Sequence, residues 1–138
     1  YTPESRPGLA VEHLFDESLV LVTSNPNRPW PDPDYIHIDW GVEFHAQFGA
    51  RFPEVETPAR IANIGWIGLQ LMESRGGSAY LPRRTVYRSI EQGRLWQVHE
   101  SPIITLPVYM VFPIDRDEAH LARAVQKLRS LGAEERVK

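Results

Sequence analysis

Residues 63–84 constrain the fold of this 138-residue chain more than any other stretch, reading Asn-Ile-Gly-Trp-Ile-Gly-Leu-Gln-Leu-Met-Glu-Ser-Arg-Gly-Gly-Ser-Ala-Tyr-Leu-Pro-Arg-Arg. A polar cap residue, a helical run, two glycines that stop it and a short apolar strand closed by proline make one helix-to-strand unit of an open α/β sheet. Asn63 follows a short apolar strand at 59–62, so the N–H groups at the helix start face outward at that strand's carboxyl end. Such a rim suits a small ligand, and no catalytic group lies inside it.

The rest of the chain continues the alternation. Residues 18–23 (Ser-Leu-Val-Leu-Val-Thr) are a continuous β-prone run that fits a strand buried on both faces. Pro26, Pro29, Pro31 and Pro33 then remove donors and fix φ, which predicts an extended connector over 24–34. A strand at 35–38 runs into Asp39, placed to cap a helix with Phe44, Phe48 and Phe52 on one face. Ile67 and Leu71 mark the apolar side of the Asn63 helix, and Gly76 and Gly77 end it. A strand at 78–81, a short helix at 85–91 with Val86 and Ile90 on one side, and strands at 95–98 and 106–112 follow. Asp115 and Glu118 form a capping box for a last helix with the stripe Leu121, Val125, Leu128 and Leu131 up to Gly132, after which the tail frays. Strands alternating with helices imply a mostly parallel sheet with right-handed crossovers.

Composition excludes several function classes. The net charge of −3 weighs against a phosphate-backbone grip by this chain. The absence of cysteine removes disulfides, thiolate catalysis and cysteine-rich zinc sites, and allows a cytoplasmic location. No apolar run approaches the roughly 20 residues of a membrane span, so no membrane partner is expected. No nucleophile elbow, phosphate loop or dinucleotide fingerprint is present, and neither catalysis nor a cofactor is expected. His37, Asp39 and His45 invite a metal reading. His37 and Asp39 share a side only if their strand persists, and His45 lies on a later helix, so no metal site is expected.

The junctions Asp39-Trp40-Gly41 and Asn63-Ile64-Gly65 each join a strand to a helix through a polar residue and a glycine that lets backbone approach a ligand. Asp39 and Asn63 also have a purely structural use, in satisfying their own helix ends. Trp40 and Trp66 lie beside the two caps and line either an apolar pocket or the core. Arg75, Arg83 and Arg84 offer charge to an anion, or simply a solvated turn.

Residues 9–24 (Leu-Ala-Val-Glu-His-Leu-Phe-Asp-Glu-Ser-Leu-Val-Leu-Val-Thr-Ser), then Tyr-Ile-His-Ile-Asp-Trp-Gly at 35–41, then Gly-Gly-Ser-Ala-Tyr-Leu-Pro at 76–82, together resemble the effector-binding domain of LysR-type transcriptional regulators. The resemblance covers nearly the whole chain and rests on the order and spacing of loose motifs. It implies a fold like a type 2 periplasmic binding protein, with two α/β subdomains and a small-molecule inducer in the cleft between them. Residues 19–24 would be the first crossover, 35–81 the bulk of the second subdomain, and 82–138 the return toward the first. The inducer wall would include Ser24, Asp39, Trp40, Gly41, Asn63, Ile64, Gly65 and Trp66.

The family's N-terminal winged helix-turn-helix has no counterpart here, nor do the opening elements of the first subdomain. The sequence therefore reads as part of a longer regulator that meets DNA through another domain and forms a homodimer or homotetramer. The competing reading is a free-standing small-molecule-binding or oligomerisation module not linked to DNA. Inducer identity, target promoter and the choice between activation and repression are not encoded in any recognisable motif.

Overall fold

The computed structural model describes residues 6–55, 58, 60–114 and 119–135. The chain divides into two compact units, residues 18–105 and residues 1–17 with 106–138. The unit 18–105 holds the whole of the 35–81 span and continues to Thr105. Val86 and Leu95, buried in its core, tie the following helix and strand to it instead of to the return.

Within residues 18–105 the sheet is built around the end of β1 (Leu9–Thr23), which pairs antiparallel with β4 (Ser78–Pro82) from Leu19↔Pro82 to Thr23↔Ser78, and on its other side with β5 (Trp96–Gln97). β2 (Ile36–Ile38) and β3 (Arg60–Ala62) pair parallel, and a parallel bridge joins Tyr35 to Ser78 at the start of β4. The α/β class holds, with β2, β3 and β4 parallel and β1, antiparallel to both β4 and β5, making the arrangement mixed.

Side-chain alternation sorts the two faces. Ile36, Ile38, Ala79 and Leu81 join Val20, Val22, Leu69, Met72 and Val86 in one core, beneath α2 (Gly65–Arg75) and α3 (Arg83–Glu91). Tyr35, His37 and Tyr80 point the other way, against Phe44, Phe48 and Phe52 of α1 (Val42–Arg51) and its exit. Period two in the strands and period four in the phenylalanines meet at this aromatic face.

α2 buries a different face from the one its sequence suggests. Ile67 is 48% exposed, whereas Gly68, Leu69 and Met72 are buried. A Cβ on Gly68 would stand 2.5 Å from Ile38 Cδ1, so the missing side chain lets the helix lie directly on β2, and this contact sets the rotation.

The proline-rich stretch is an ion-paired loop more than a plain extended connector. Arg28 donates to both oxygens of Asp32, at 2.8 and 2.9 Å, and to Asp34. Arg60 donates to Asp34 at 3.0 Å and to Gly76 O, and the buried Ser78 hydroxyl donates to Asp32 at 2.7 Å.

In the other unit, β6 (Ile104–Pro113) pairs with β1, and α4 (Ala119–Glu135) packs Val125 and Leu121 with Leu14, Phe15 and Met110. Leu128 and Leu131 of the expected stripe are 42% and 47% exposed. Gly132 does not end the helix; it is buried against Leu14, where a Cβ would meet backbone at 3.2 Å. Glu12 and Arg129 form an exposed bidentate pair at 2.8–3.0 Å. The expected Asp115–Glu118 capping box and the last three residues lie outside the described residues. No helix among the described residues is long and apolar enough to cross a membrane.

Candidate functional site

Because β2, β3 and β4 run parallel, their carboxyl ends share one edge of the sheet, and each delivers the chain into a helix there. α1 starts after Gly41, α2 after Ile64 and α3 after Pro82, and none of the three has a side-chain cap bond. Each helix therefore points unsatisfied N–H groups at the same edge. α2 and α3 have no acidic residue in the first turn, and α3 opens with the exposed Arg83 and Arg84.

Asp39 and Asn63 were both expected to cap, and neither does so. Asp39 accepts the Gly41 N–H at 2.9 Å, one residue before the helix begins, because Gly41 at φ 96° swings the chain away before α1 starts. α2 begins two residues beyond Asn63, with Ile64 in extended conformation at the cap position, which leaves Asn63 exposed.

Between them stands Trp40. Its Nε1 donates to Tyr80 O at 2.9 Å, and its six-membered ring covers Gly65, where a Cβ would fall 2.4 Å from Cη2. Gly65 is therefore a seat for the indole. Ile64 and Trp66 are 57% and 63% exposed. The structure thus gathers Asp39, Trp40, Gly41, Asn63, Ile64, Gly65 and Trp66 at one edge.

Ser24 is not brought to them. It follows Thr23, which pairs with the first residue of β4, so it sits at the opposite edge. There its Oγ accepts the Gly77 N–H at 3.0 Å, and its backbone N–H donates to Gly77 O. Ser24 also lines a cavity of about 440 Å³ with Glu73, Arg94 and Trp96, and a neighbouring cavity of about 480 Å³ runs from Trp96 toward His99. The antiparallel course of β1 puts its end where its neighbours begin, which a run of apolar residues does not reveal.

His37 and His45, set aside in the sequence, prove to be neighbours. β2 persists through His37, and the first turn of α1 carries His45 back over it. His37 Nε2 lies 3.1 Å from His45 Nδ1, and His45 Nε2 lies 2.9 Å from Asp39 Oδ1. Carboxylate Asp39 only accepts, so His45 donates from Nε2, its Nδ1 accepts, and His37 donates from Nε2. His37 Nδ1 is left buried with no hydrogen-bond partner, beside Phe44 and Phe48. A strand residue and a helix residue eight apart give no periodic signal; the Asp-to-His spacing across the turn was the only hint.

Burial, helped by His45 and opposed by Asp39, holds His37 below the usual imidazole range. The Gly41 N–H, then His45, hold Asp39 below the usual carboxylate range. For His37 the unfolded chain takes the proton first as pH falls, so stability is complete above the unfolded value of about 6.5 and declines below it. Urea midpoints between pH 7 and 5 are expected to fall, and His37→Phe to flatten that decline. An equal slope in the variant would assign it to other groups.

Among known proteins, the chain is 28% identical over 105 residues to the HTH-type transcriptional regulator HdfR of Yersinia pestis, a match over 76% of this chain and 35% of the relative. The same values hold for HdfR of Yersinia pseudotuberculosis. The chain thus spans about a third of the length of these relatives. No family model matches. The structure is similar to the regulatory domain of HypT from Salmonella typhimurium, with a TM-score of 0.72 at 18% identity over 94% of this chain and 68% of that one. It is also similar to the regulatory domain of MetR from N. meningitidis, a LysR family regulator, with a TM-score of 0.62 at 21% identity over 96% and 70%. The fold is that of a LysR-type effector domain. Within this fold, residues 18–105 form one compact unit whose helix starts present directed backbone donors.

Proposed function

We propose that this chain is the effector-sensing part of a LysR-type transcriptional regulator and that it takes a small anionic molecule at the carboxyl edge of β2, β3 and β4. The observation that carries this reading is the convergence there of three helix starts without side-chain caps, two of them without acidic residues and one followed by Arg83-Arg84. Helix N–H groups and macrodipoles favour negative charge, each by about 0.3–1 kcal/mol at an exposed site. Trp40 and Trp66 supply apolar surface beside the donors, and Asn63 supplies an amide to orient the ligand.

Contact with DNA falls to a separate domain of the longer regulator, in keeping with the net charge of −3 on this chain. Self-association is supported by the exposed Ile61 on β3, at the sheet's edge among the described residues, and by Trp66 and Ile67 on α2. Binding of the effector shifts the population of two arrangements of the regulator.

The test is a promoter-reporter response of the whole regulator to a panel of small mono- and dicarboxylates, with Asn63→Ala and Asp39→Ala variants. Both side chains are exposed, so the variants are expected to fold; Asn63→Ala is expected to need at least several-fold more effector, and Asp39→Ala, which removes a negative charge from the edge, to need less. An unchanged response in both would remove this edge from consideration.

A further inference from the structure

We propose that His37 and His45 form a two-imidazole site for a divalent transition-metal ion of the Ni²⁺, Cu²⁺ or Zn²⁺ class, with Asp39 as the carboxylate that orients His45. The inference rests on residues 37–45 alone and does not depend on the effector reading.

Three features of the geometry converge. Imidazole nitrogens bind such ions at about 2.0–2.1 Å, so two of them on adjacent positions of one ion stand about 3 Å apart. His37 Nε2 and His45 Nδ1 are already 3.1 Å apart, with ring planes only 24° from parallel. The spacing is that of a pair of cis ligands once the proton that His37 donates from Nε2 has moved to its Nδ1, which has no hydrogen-bond partner, so that both facing nitrogens offer lone pairs.

Second, His45 is held as metal-binding histidines are held. Its far nitrogen donates to a carboxylate, which fixes the tautomer with the near nitrogen's lone pair presented toward His37. The Gly41 N–H in turn fixes Asp39.

Third, the pair has a packed side and an open side. Phe44 and Phe48 wall His37 on one flank, while His45 and Asp39 are 45% and 51% exposed at the side chain. Among the described residues no group of three or more His, Cys, Asp or Glu side chains is arranged to hold an ion. The site therefore supplies two protein ligands and leaves the remaining positions to water or an exogenous anion. Imidazole donors select for borderline ions such as Ni²⁺, Cu²⁺ and Zn²⁺ over Mg²⁺ or Ca²⁺.

The test is calorimetric titration of the chain with Ni²⁺, alongside His45→Gln, Asp39→Asn and the controls His13→Gln and His99→Gln. One ion per chain is expected, with at least a tenfold loss of affinity in His45→Gln, about a tenfold loss in Asp39→Asn, and no change in the controls. Circular dichroism checks that the variants stay folded. An independent readout needs no variant: NMR of the imidazole rings should show the His37 and His45 signals broadened first as Ni²⁺ is added. Absence of binding, equal affinity in His45→Gln, or first broadening at His13, His99 or His120 would each overturn the proposal.

Discussion

Replacing Asp32 with Asn is expected to lower the free energy of unfolding by about 3–5 kcal/mol, the usual consequence of removing one partner from a buried ion pair. The Asp32 side chain has no exposed surface, and it accepts from Arg28 at two oxygens, from the Ser78 hydroxyl and from the Asp34 N–H. Neutralising it leaves the Arg28 guanidinium, itself only 24% exposed, facing an amide with one acceptor fewer. By contrast Arg129→Ala, which breaks the exposed pair with Glu12, is expected to leave stability almost unchanged. Urea unfolding of the two variants measures the difference, and equal small losses would show that the loop is held by its prolines instead.

The same residue sets a pH dependence. Burial raises the Asp32 carboxyl, but the bonds from Arg28, Ser78 and the Asp34 backbone outweigh burial and hold it below the usual carboxylate range. Its folded pKa is thus below the unfolded value of about 3.9, so its contribution is present above that pH and is lost as pH falls through the folded value.

Gly77→Ala is expected to cost about 3 kcal/mol, and Gly76→Ala roughly 1 kcal/mol, although the two glycines are adjacent and both have positive φ. Gly77 has φ 128°, a region closed to residues with a Cβ, and that Cβ would stand 2.4 Å from the Asp34 carbonyl oxygen. Backbone on both sides blocks relief, because Gly77 is bonded to Ser24 through its N–H and its carbonyl. At Gly76 the φ of 74° is the ordinary left-handed region, and a Cβ would meet side-chain atoms alone, the Ser24 hydroxyl at 3.3 Å and Arg28 Nη1 at 3.7 Å. Thermal unfolding of both variants gives the ranking, and an equal loss at the two positions would contradict it.

These residues also mark how far the fold was legible. The Gly76-Gly77 stop, the Phe44, Phe48 and Phe52 face, and the strands at 18–23, 35–38 and 78–81 were all readable, because each depends on neighbours within a few residues. The cap was misplaced by two residues at Asp39 and by one at Asn63, since a polar residue after a strand signals a cap without saying whether the helix begins at once. The rotation of α2 was misread because Gly68, which touches Ile38, carries no hydrophobic signal. Seven of the candidate residues gather at one edge and Ser24 does not, for the direction of β1 depends on pairing Leu19–Thr23 with the distant Ser78–Pro82.

The sequence by itself determined where α2 stops, which residues of 18–23 and 78–81 are buried, and that the chain is an α/β unit without recognisable catalytic apparatus, because propensity, capping and periodicity act locally. Only the tertiary structure decided that Arg28, Asp32, Asp34 and Arg60 form one network around the buried Asp32 carboxylate, that His37 faces His45, and that three helix starts share an edge. The physical reason is the same in each case: these contacts exist only after the parallel register of β2, β3 and β4 has brought distant segments together, and no local rule contains that register.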